Sequence, residues 1–304
     1  MKTSFITTVF NEEETIKKFL DSLYEQSVLP DEIVLVDAHS TDQTAKIIQE
    51  YFDNHKEIPS KLIIKKCNRA VGRNEAIEQA TGEIILCSDA GCVLGKQWIK
   101  HLVEKFDEKH IDVVSGYYKP TMHTVFERCL ATYTCVMPDK IDPKHFLPSS
   151  RSIAFKKSAW EKVKGYPEWL NTCEDLVFAK KLQVKGFHFV FAEHAIVHWA
   201  QQKTFLQAYK QFFSYAKGDG NARYIRPQVP FLYGRYFLAL LLIPLFLSQP
   251  FIFLCLLLLY TLWAIGKNYR YVKHWQAIYL LPALQIVADI AVLSGTTLGL
   301  WETL

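Results

Sequence analysis

Apolar residues follow two alternating patterns along the first third of the chain. Residues 4–10 are β-rich and run into Asn11. Ile16, Phe19, Leu20 and Leu23 then fall at i, i+3, i+4 and i+7, the stripe of an amphipathic helix. Pro30-Asp31 breaks that stripe, and Ile33 to Val36 form an unalternating apolar run ending at Asp37. Such a run suits a strand buried on both faces. Ser40, Thr41 and Asp42 can cap a helix whose inner face carries Ala45, Ile48 and Phe52. The cycle repeats with Leu62-Ile63-Ile64, a helix through Ala76, Ile77 and Ala80, then Ile84 to Cys87 ending near Asp89. A further helix carries Trp98, Ile99, Leu102, Val103 and Phe106. This alternation predicts a doubly wound, mostly parallel α/β sheet, Rossmann-like in layout. Ligands bind such sheets at the carboxyl ends of the strands, so Asp37 and Asp89 should face one crevice. Residues 116–150, with Pro120, Pro138, Pro143 and Pro148, read as irregular loops of the kind that can order over a bound substrate.

The pattern changes near Pro230. Residues 231–247 carry only Arg235 as a charge, Ser248-Gln249-Pro250 interrupts, and apolar runs follow over 251–265 and 277–300. These predict C-terminal hydrophobic, transmembrane helices, which divides the chain into a soluble-type domain at 1–226 and a membrane anchor at 227–304. Lys267, Arg270 and Lys273 lie between the second and third runs with no acid among them. The positive-inside rule puts that loop, and the N-terminal domain, on the cytoplasmic side of an inner (cytoplasmic) cell membrane. The expected arrangement is multi-pass, with three crossings; a re-entrant or interfacial hairpin from the first two runs is the alternative. Asp289, inside the third run, should face protein or a polar cavity.

Composition adds limits. The net charge of +4 is too small to suggest a nucleic-acid partner. Seven cysteines without a C-x-x-C pair fit reduced thiols better than a disulfide framework, and Asn11 to Glu14 is no signal-peptide opening. No G-x-G-x-x-G follows the first strand, which excludes the dinucleotide fingerprint of a dehydrogenase.

Several ordered segments resemble family-2 glycosyltransferases over roughly residues 3–220. "TTVFNEE" resembles that family's first strand and turn, and "EIVLVDAHSTDQTAKII" its "DDGSTDGT" segment. "AVGRNEAIEQATGEIILCSDAGC" resembles the stretch from "ARN" to the D-x-D motif, and "CEDLVFAKKLQVKG" the acceptor-side "ED" motif. "QFFSYAKGDG" is similar to a region near the family's substrate channel. The resemblance implies the GT-A fold and hexosyl-type transfer from a nucleotide-sugar donor to a lipid-linked or growing glycan acceptor at a membrane, as in polysaccharide biosynthesis.

Such a transfer needs a grip on the nucleoside, positive charge for the leaving diphosphate, and a base for the acceptor hydroxyl. Asp37 can accept from a base N–H or ribose hydroxyl, or simply cap its turn. Phe10, Asn11 and Glu12 can line the same pocket, or begin the next helix. Arg73 matches the family's "ARN" arginine and offers a fork suited to phosphate oxygens; Arg69 competes for that role. Asp175, with Glu174 beside it, is the general base by the resemblance, which implies direct displacement with inversion; helix capping is the bland reading. The D-x-D motif reads Asp89-Ala90-Gly91, without its second aspartate. A divalent cation, Mn²⁺ or Mg²⁺, would then rest on Asp89 and a compensating ligand, for which His198 after Ile196-Val197 is the candidate. A non-catalytic nucleotide-sugar- or glycan-binding membrane protein is the competing reading, favoured by Gly91 and opposed by the intact Asp175.

Overall fold

The computed structural model describes residues 1–108 and 110–303. Its elements in chain order begin with β1 Thr3–Val9, α1 Ile16–Tyr24, β2 Glu32–Asp37, α2 Thr44–Asn54, β3 Ser60–Ile64, α3 Arg69–Gln79 and β4 Ile84–Cys87. They continue with β5 Cys92–Leu94, α4 Trp98–Val103, β6 Val113–Thr121, α5 Val125–Thr134, β7 Ile153–Lys156, α6 Lys157–Lys162, α7 Glu174–Val184 and β8 Phe189–Ala200. The helices α8 Phe205–Asn221, α9 Gln228–Leu241, α10 Ile243–Ser248, α11 Pro250–Val272 and α12 Ala277–Trp301 complete the chain. The chain divides into two compact units, residues 1–120 with 138–200, and residues 121–137 with 201–304. This division falls elsewhere than the 226/227 boundary expected from hydropathy.

The first unit is built on a sheet of order β3-β2-β1-β4-β7-β6-β8-β5. Strands β3, β2, β1 and β4 are parallel, as the unalternating runs predict. The other half differs from the expected mostly parallel sheet, because β4/β7, β6/β7 and β5/β8 pair antiparallel. Both faces of the parallel half are covered. Phe5, Leu35, Leu86 and Trp98 lie in one apolar layer with α1, α2 and α4. Ile6, Val34, Ile85 and Phe155 lie in the other with α3, α6 and α7. Consecutive residues of β1 therefore bury into opposite layers, which is why the run does not alternate.

The second unit packs α5 and α8 against the C-terminal helices. Cys129 and Leu130 of α5, Ala208 and Phe212 of α8, and Leu281, Leu284, Ala288 and Ala291 of α12 form its core. Helix α5 lies inside a stretch read as irregular. Its start is a capping box in which Thr124 accepts from Glu127 N–H and the Glu127 carboxylate takes the Thr124 N–H. The prolines of that stretch flank the helix rather than enter it. Among the described residues two helices, α11 and α12, are long and apolar enough to cross a membrane by length and composition. Truncation after Arg226 would strip α12 from α5 and α8 and expose Leu130, Ala208 and Phe212. An aggregating product is expected on size-exclusion chromatography. A monodisperse, cooperatively unfolding product would show that these helices stand without α12.

Candidate active site

Asn11 and Asp89 lie in the loops after β1 and β4, and Asp37 ends β2. Asp37 is fully buried; its Oδ1 accepts the Ser40 N–H at 2.7 Å, while its Oδ2 is buried without a hydrogen-bond partner. Asn11 sits at φ 53° and accepts the Thr41 N–H at 2.9 Å, which ties the first turn to the second. His39 at φ 70° and Cys173 at φ 69° are also left-handed, so three non-glycine residues beside the site hold costly backbone geometry. Phe10 is exposed at the mouth of the same turn. Glu12 follows, and burial first, with Asp89 adding to it, raises its carboxyl above the usual range.

Arg73 is not available to a diphosphate in this structure. Its side chain is 2% exposed and ion-paired to Glu174 at 2.6 Å and Asp89 at 2.7 Å. Burial works against its charge, and Asp89 and then Glu174 overcome that cost. Its guanidinium also lies 5.5 Å from the Tyr166 ring centroid. The two residues expected to contact substrate, Arg73 and Glu174, instead form an internal clasp that joins α3 to the start of α7. The next residue ties α3 to α6 and the segment that follows it. Asn74 Oδ1 accepts from Tyr166 N–H at 2.9 Å and Trp160 Nε1–H at 3.0 Å.

Two further arginines, Arg69 and Arg151, lie beside these carboxylates. Arg69 is half-exposed, 4.0 Å from Glu174. Arg151 reaches Asp89 Oδ2 at 3.9 Å and stacks its guanidinium 4.2 Å from the Trp199 ring centroid. Burial opposes the charge of Asp89, but Arg73, Arg151 and Arg69 together hold its carboxyl below the ordinary range.

Asp175 separates from its neighbour. At the first turn of α7, Glu174 turns inward while Asp175 stays partly open. Asp175 Oδ2 accepts from Ser149 Oγ at 2.9 Å and Ser150 N–H at 3.4 Å, and Arg151 donates to the same Ser149 hydroxyl at 3.1 Å. Sequence reasoning did not find Ser149; its signal was the polar run Ser149-Ser150-Arg151-Ser152 directly before β7.

His198 is placed apart from this set. It neighbours Trp199 on β8, so the two side chains point to opposite faces. Burial, then the charges of Lys119 and Lys18, push its pKa down. The expected Asp89–His198 pair is therefore corrected: the histidine keeps company with cations, and both Asp89 oxygens face arginines. Among the described residues no group of three or more His, Cys, Asp or Glu side chains is placed to hold a metal ion. This donor set does not fit a divalent cation as it stands. Gly91 has open space where a Cβ would project, so crowding does not dictate the missing second aspartate.

Comparison with known proteins agrees with this layout. The model for "Glycosyl transferase family 2" matches residues 4–154, and that for "Glycosyl transferase family group 2" matches residues 84–288. Glycosyltransferase AglE of Haloferax volcanii is 24% identical over 221 residues, covering 71% of this chain and 72% of AglE. The O-antigen chain rhamnosyltransferase RfbN of Salmonella typhimurium is 23% identical over 91% of both chains. The poly(ribitol-phosphate) beta-glucosyltransferase of Bacillus spizizenii is 27% identical, but the match spans only 40% of that longer protein. Among solved structures, the mannosyltransferase PcManGT of Pyrobaculum calidifontis, in complex with GDP-Man and Mn²⁺, superposes with a TM-score of 0.66 at 18% identity over 99% of this chain and 87% of its own. S. aureus TarS 1–349 gives 0.53 at 24% identity over 71% of this chain and 64% of its own. With family matches running together from residue 4 to residue 288 and a GT-A sheet beneath its site, the chain belongs to glycosyltransferase family 2 and is a glycosyltransferase.

Proposed function

We propose that the chain transfers a sugar from a nucleoside-diphosphate donor to the hydroxyl of a membrane-associated acceptor, a lipid-linked saccharide or growing glycan, with inversion at the anomeric carbon. The acceptor O–H gives its proton to Asp175 as its oxygen bonds to the anomeric carbon. The bond from that carbon to the diphosphate breaks on the opposite side, and the diphosphate leaves with the electron pair. Arg69, half-exposed, and Arg151, beside Asp89, are the guanidiniums placed to meet its charge, and a guanidinium fork matches phosphate oxygens in pairs. PcManGT holds Mn²⁺ with its GDP-Man. Because the donor set around Asp89 here does not match a divalent ion, no step is assigned to one. The acceptor's membrane location is supported by the apolar α11, whose most hydrophobic window is only 6% buried.

The observation that carries the donor half is Asp37, whose Oδ2 is buried at a strand end with nothing donating to it. An unpaired buried acceptor costs about 1–3 kcal/mol, which a nucleoside N–H or ribose hydroxyl would relieve. Nucleoside diphosphates and nucleotide sugars are expected to raise the thermal midpoint of the wild type. At a hundredfold excess over Kd the stabilisation is about 2.7 kcal/mol. Asp37→Ala should abolish that shift while leaving a cooperative transition. An equal shift in Asp37→Ala would remove Asp37 from donor binding, and no shift with any nucleotide would overturn the donor class.

A further inference from the structure

We infer that α12 does not cross the membrane: the hairpin of α9, α10 and α11 alone enters it, and the chain after α12 stays on the side of α5 and α8. This rests on the membrane attachment proposed above and replaces the three-crossing arrangement that hydropathy suggests.

One face of α12 packs on protein along its length, while Ile278, Ile286, Ile290 and Leu298 stand exposed elsewhere on the helix. Near its start the Tyr133 hydroxyl of α5 donates to the Leu281 carbonyl at 3.0 Å. Further along, α8 and α12 meet through small residues four apart, Ala216 and Gly220 on one side and Ala291, Gly295 and Gly299 on the other. A Cβ at Gly295 would lie 2.5 Å from the Phe213 carbonyl oxygen, and one at Gly299 would collide with that of Lys217. The two backbones are therefore in contact, a seam of the kind that leaves no room for lipid between helices. At the far end Glu302 takes Lys217 at 2.7 Å and Asn221 at 3.2 Å, and Arg223 donates to the Thr303 carbonyl at 2.5 Å.

What α8 carries decides the topology. It runs alongside α12, with Tyr209 opposite Ser294 and Asn221 opposite Glu302. A bilayer around α12 would hold α8 too, and with it the exposed Gln207 and Lys210. A lysine at mid-bilayer costs about 2.5–3.5 kcal/mol. In the hairpin the charges are Arg235, paired to Asp289, and Lys267 and Arg270 in the last turns of α11. The apolar window of α11 is 6% buried against 39% for α12, and Phe231, Phe237, Leu247, Phe251, Leu254 and Leu259 stand exposed.

The features at the hairpin's base identify its occupant as an anionic bilayer. Lys267, Arg270 and Lys273 suit lipid phosphates. Trp263, Trp275 and Tyr279, all exposed, are the amphipathic rings favoured at the headgroup level. Asp289 fastens this base to α12, accepting from Arg235 of α9 and, at 3.0 and 2.7 Å, from Tyr236 and Tyr260. The α12 carboxylate is thus paired with an arginine inside protein.

The test uses the full chain reconstituted into phosphatidylglycerol-containing vesicles. Lys210→Cys and Thr303→Cys variants are exposed to a membrane-impermeant maleimide and read residue by residue by mass spectrometry. The two introduced thiols should label to the same extent in intact vesicles. The native Cys255, exposed on α11, should label only after detergent. Labelling of residue 303 confined to vesicles in which residue 210 is protected would overturn the inference, because α12 would then cross. Protection of both until detergent is added would overturn it equally, since α8 would share the bilayer. Cys255 labelling in intact vesicles that still carry the protein would rule out insertion of the hairpin. Failure of the chain to float with the vesicles at all would instead defeat the membrane attachment itself.

Discussion

Asp175→Asn is expected to lower turnover about 10²–10⁴-fold, the usual contribution of a positioned general base. The substitution keeps the size of the side chain and a carbonyl oxygen to accept from Ser149 Oγ, now 2.9 Å from Oδ2. It removes only the capacity to take a proton. Donor affinity should stay within a few-fold, because a base acts in the transition state, so the loss should fall on kcat and kcat/KM together. Glu174 makes the contrast. It is 3% exposed and paired to Arg73 at 2.6 Å, so it has no path to an acceptor. Glu174→Gln should weaken folding more than it alters the chemical step. Single-turnover rates with saturating donor, beside nucleotide affinities, would separate the two. An Asp175→Asn enzyme within a few-fold of wild type would remove Asp175 from the mechanism.

The parts of this architecture legible in the sequence were those set by local periodicity. The runs at Ile33 to Val36 and Ile84 to Cys87 announce strands buried on both faces, and β2 and β4 are such strands. Strand direction in the other half was not legible. Nothing within the run Ile153 to Lys156 states that it pairs antiparallel to β4. The prolines around residues 120–148 drew attention away from α5, although Thr124 and Glu127 spell a capping box.

At the site, sequence placed the carboxylates correctly at strand ends but could not assign their partners. Arg73 and Glu174 are 101 positions apart, and neither segment reveals that the other will claim its charge. His198 misled for a related reason. Period-two alternation makes it and Trp199 face opposite ways, and only the assembled sheet shows that Trp199 takes the side of Arg151. Composition alone leaves the apolar tail ambiguous: small residues such as Ala288, Ala291, Gly295 and Gly299 suit a membrane span, and the same glycines let α8 approach α12 backbone to backbone.

Arg73→Met is expected to destabilise the chain by about 3–5 kcal/mol, the usual result of stripping one partner from a buried ion pair. Methionine fills much of the arginine's apolar length, so packing against Tyr166 largely survives. What is lost is the charge shared by Glu174, 3% exposed, and Asp89, 29% exposed. The two carboxylates should fare differently. Asp89 retains Arg151 at 3.9 Å and some access to water, whereas Glu174 keeps only Arg69 at 4.0 Å from a buried position. The larger share of the loss therefore belongs to Glu174. Adding Glu174→Gln to Arg73→Met should then recover part of the stability, because the uncompensated buried charge is gone. The two substitutions would be strongly non-additive, as residues in contact are. Arg73→Lys should fall between wild type and Arg73→Met, since a single ammonium cannot span both carboxylates as the guanidinium fork does. Denaturant unfolding of wild type, the three single variants and the double variant measures all of this. A loss below about 1 kcal/mol in Arg73→Met would mean the pair behaves as a surface bridge. Full additivity with Glu174→Gln would show that the clasp between α3 and α7 does not exist in solution.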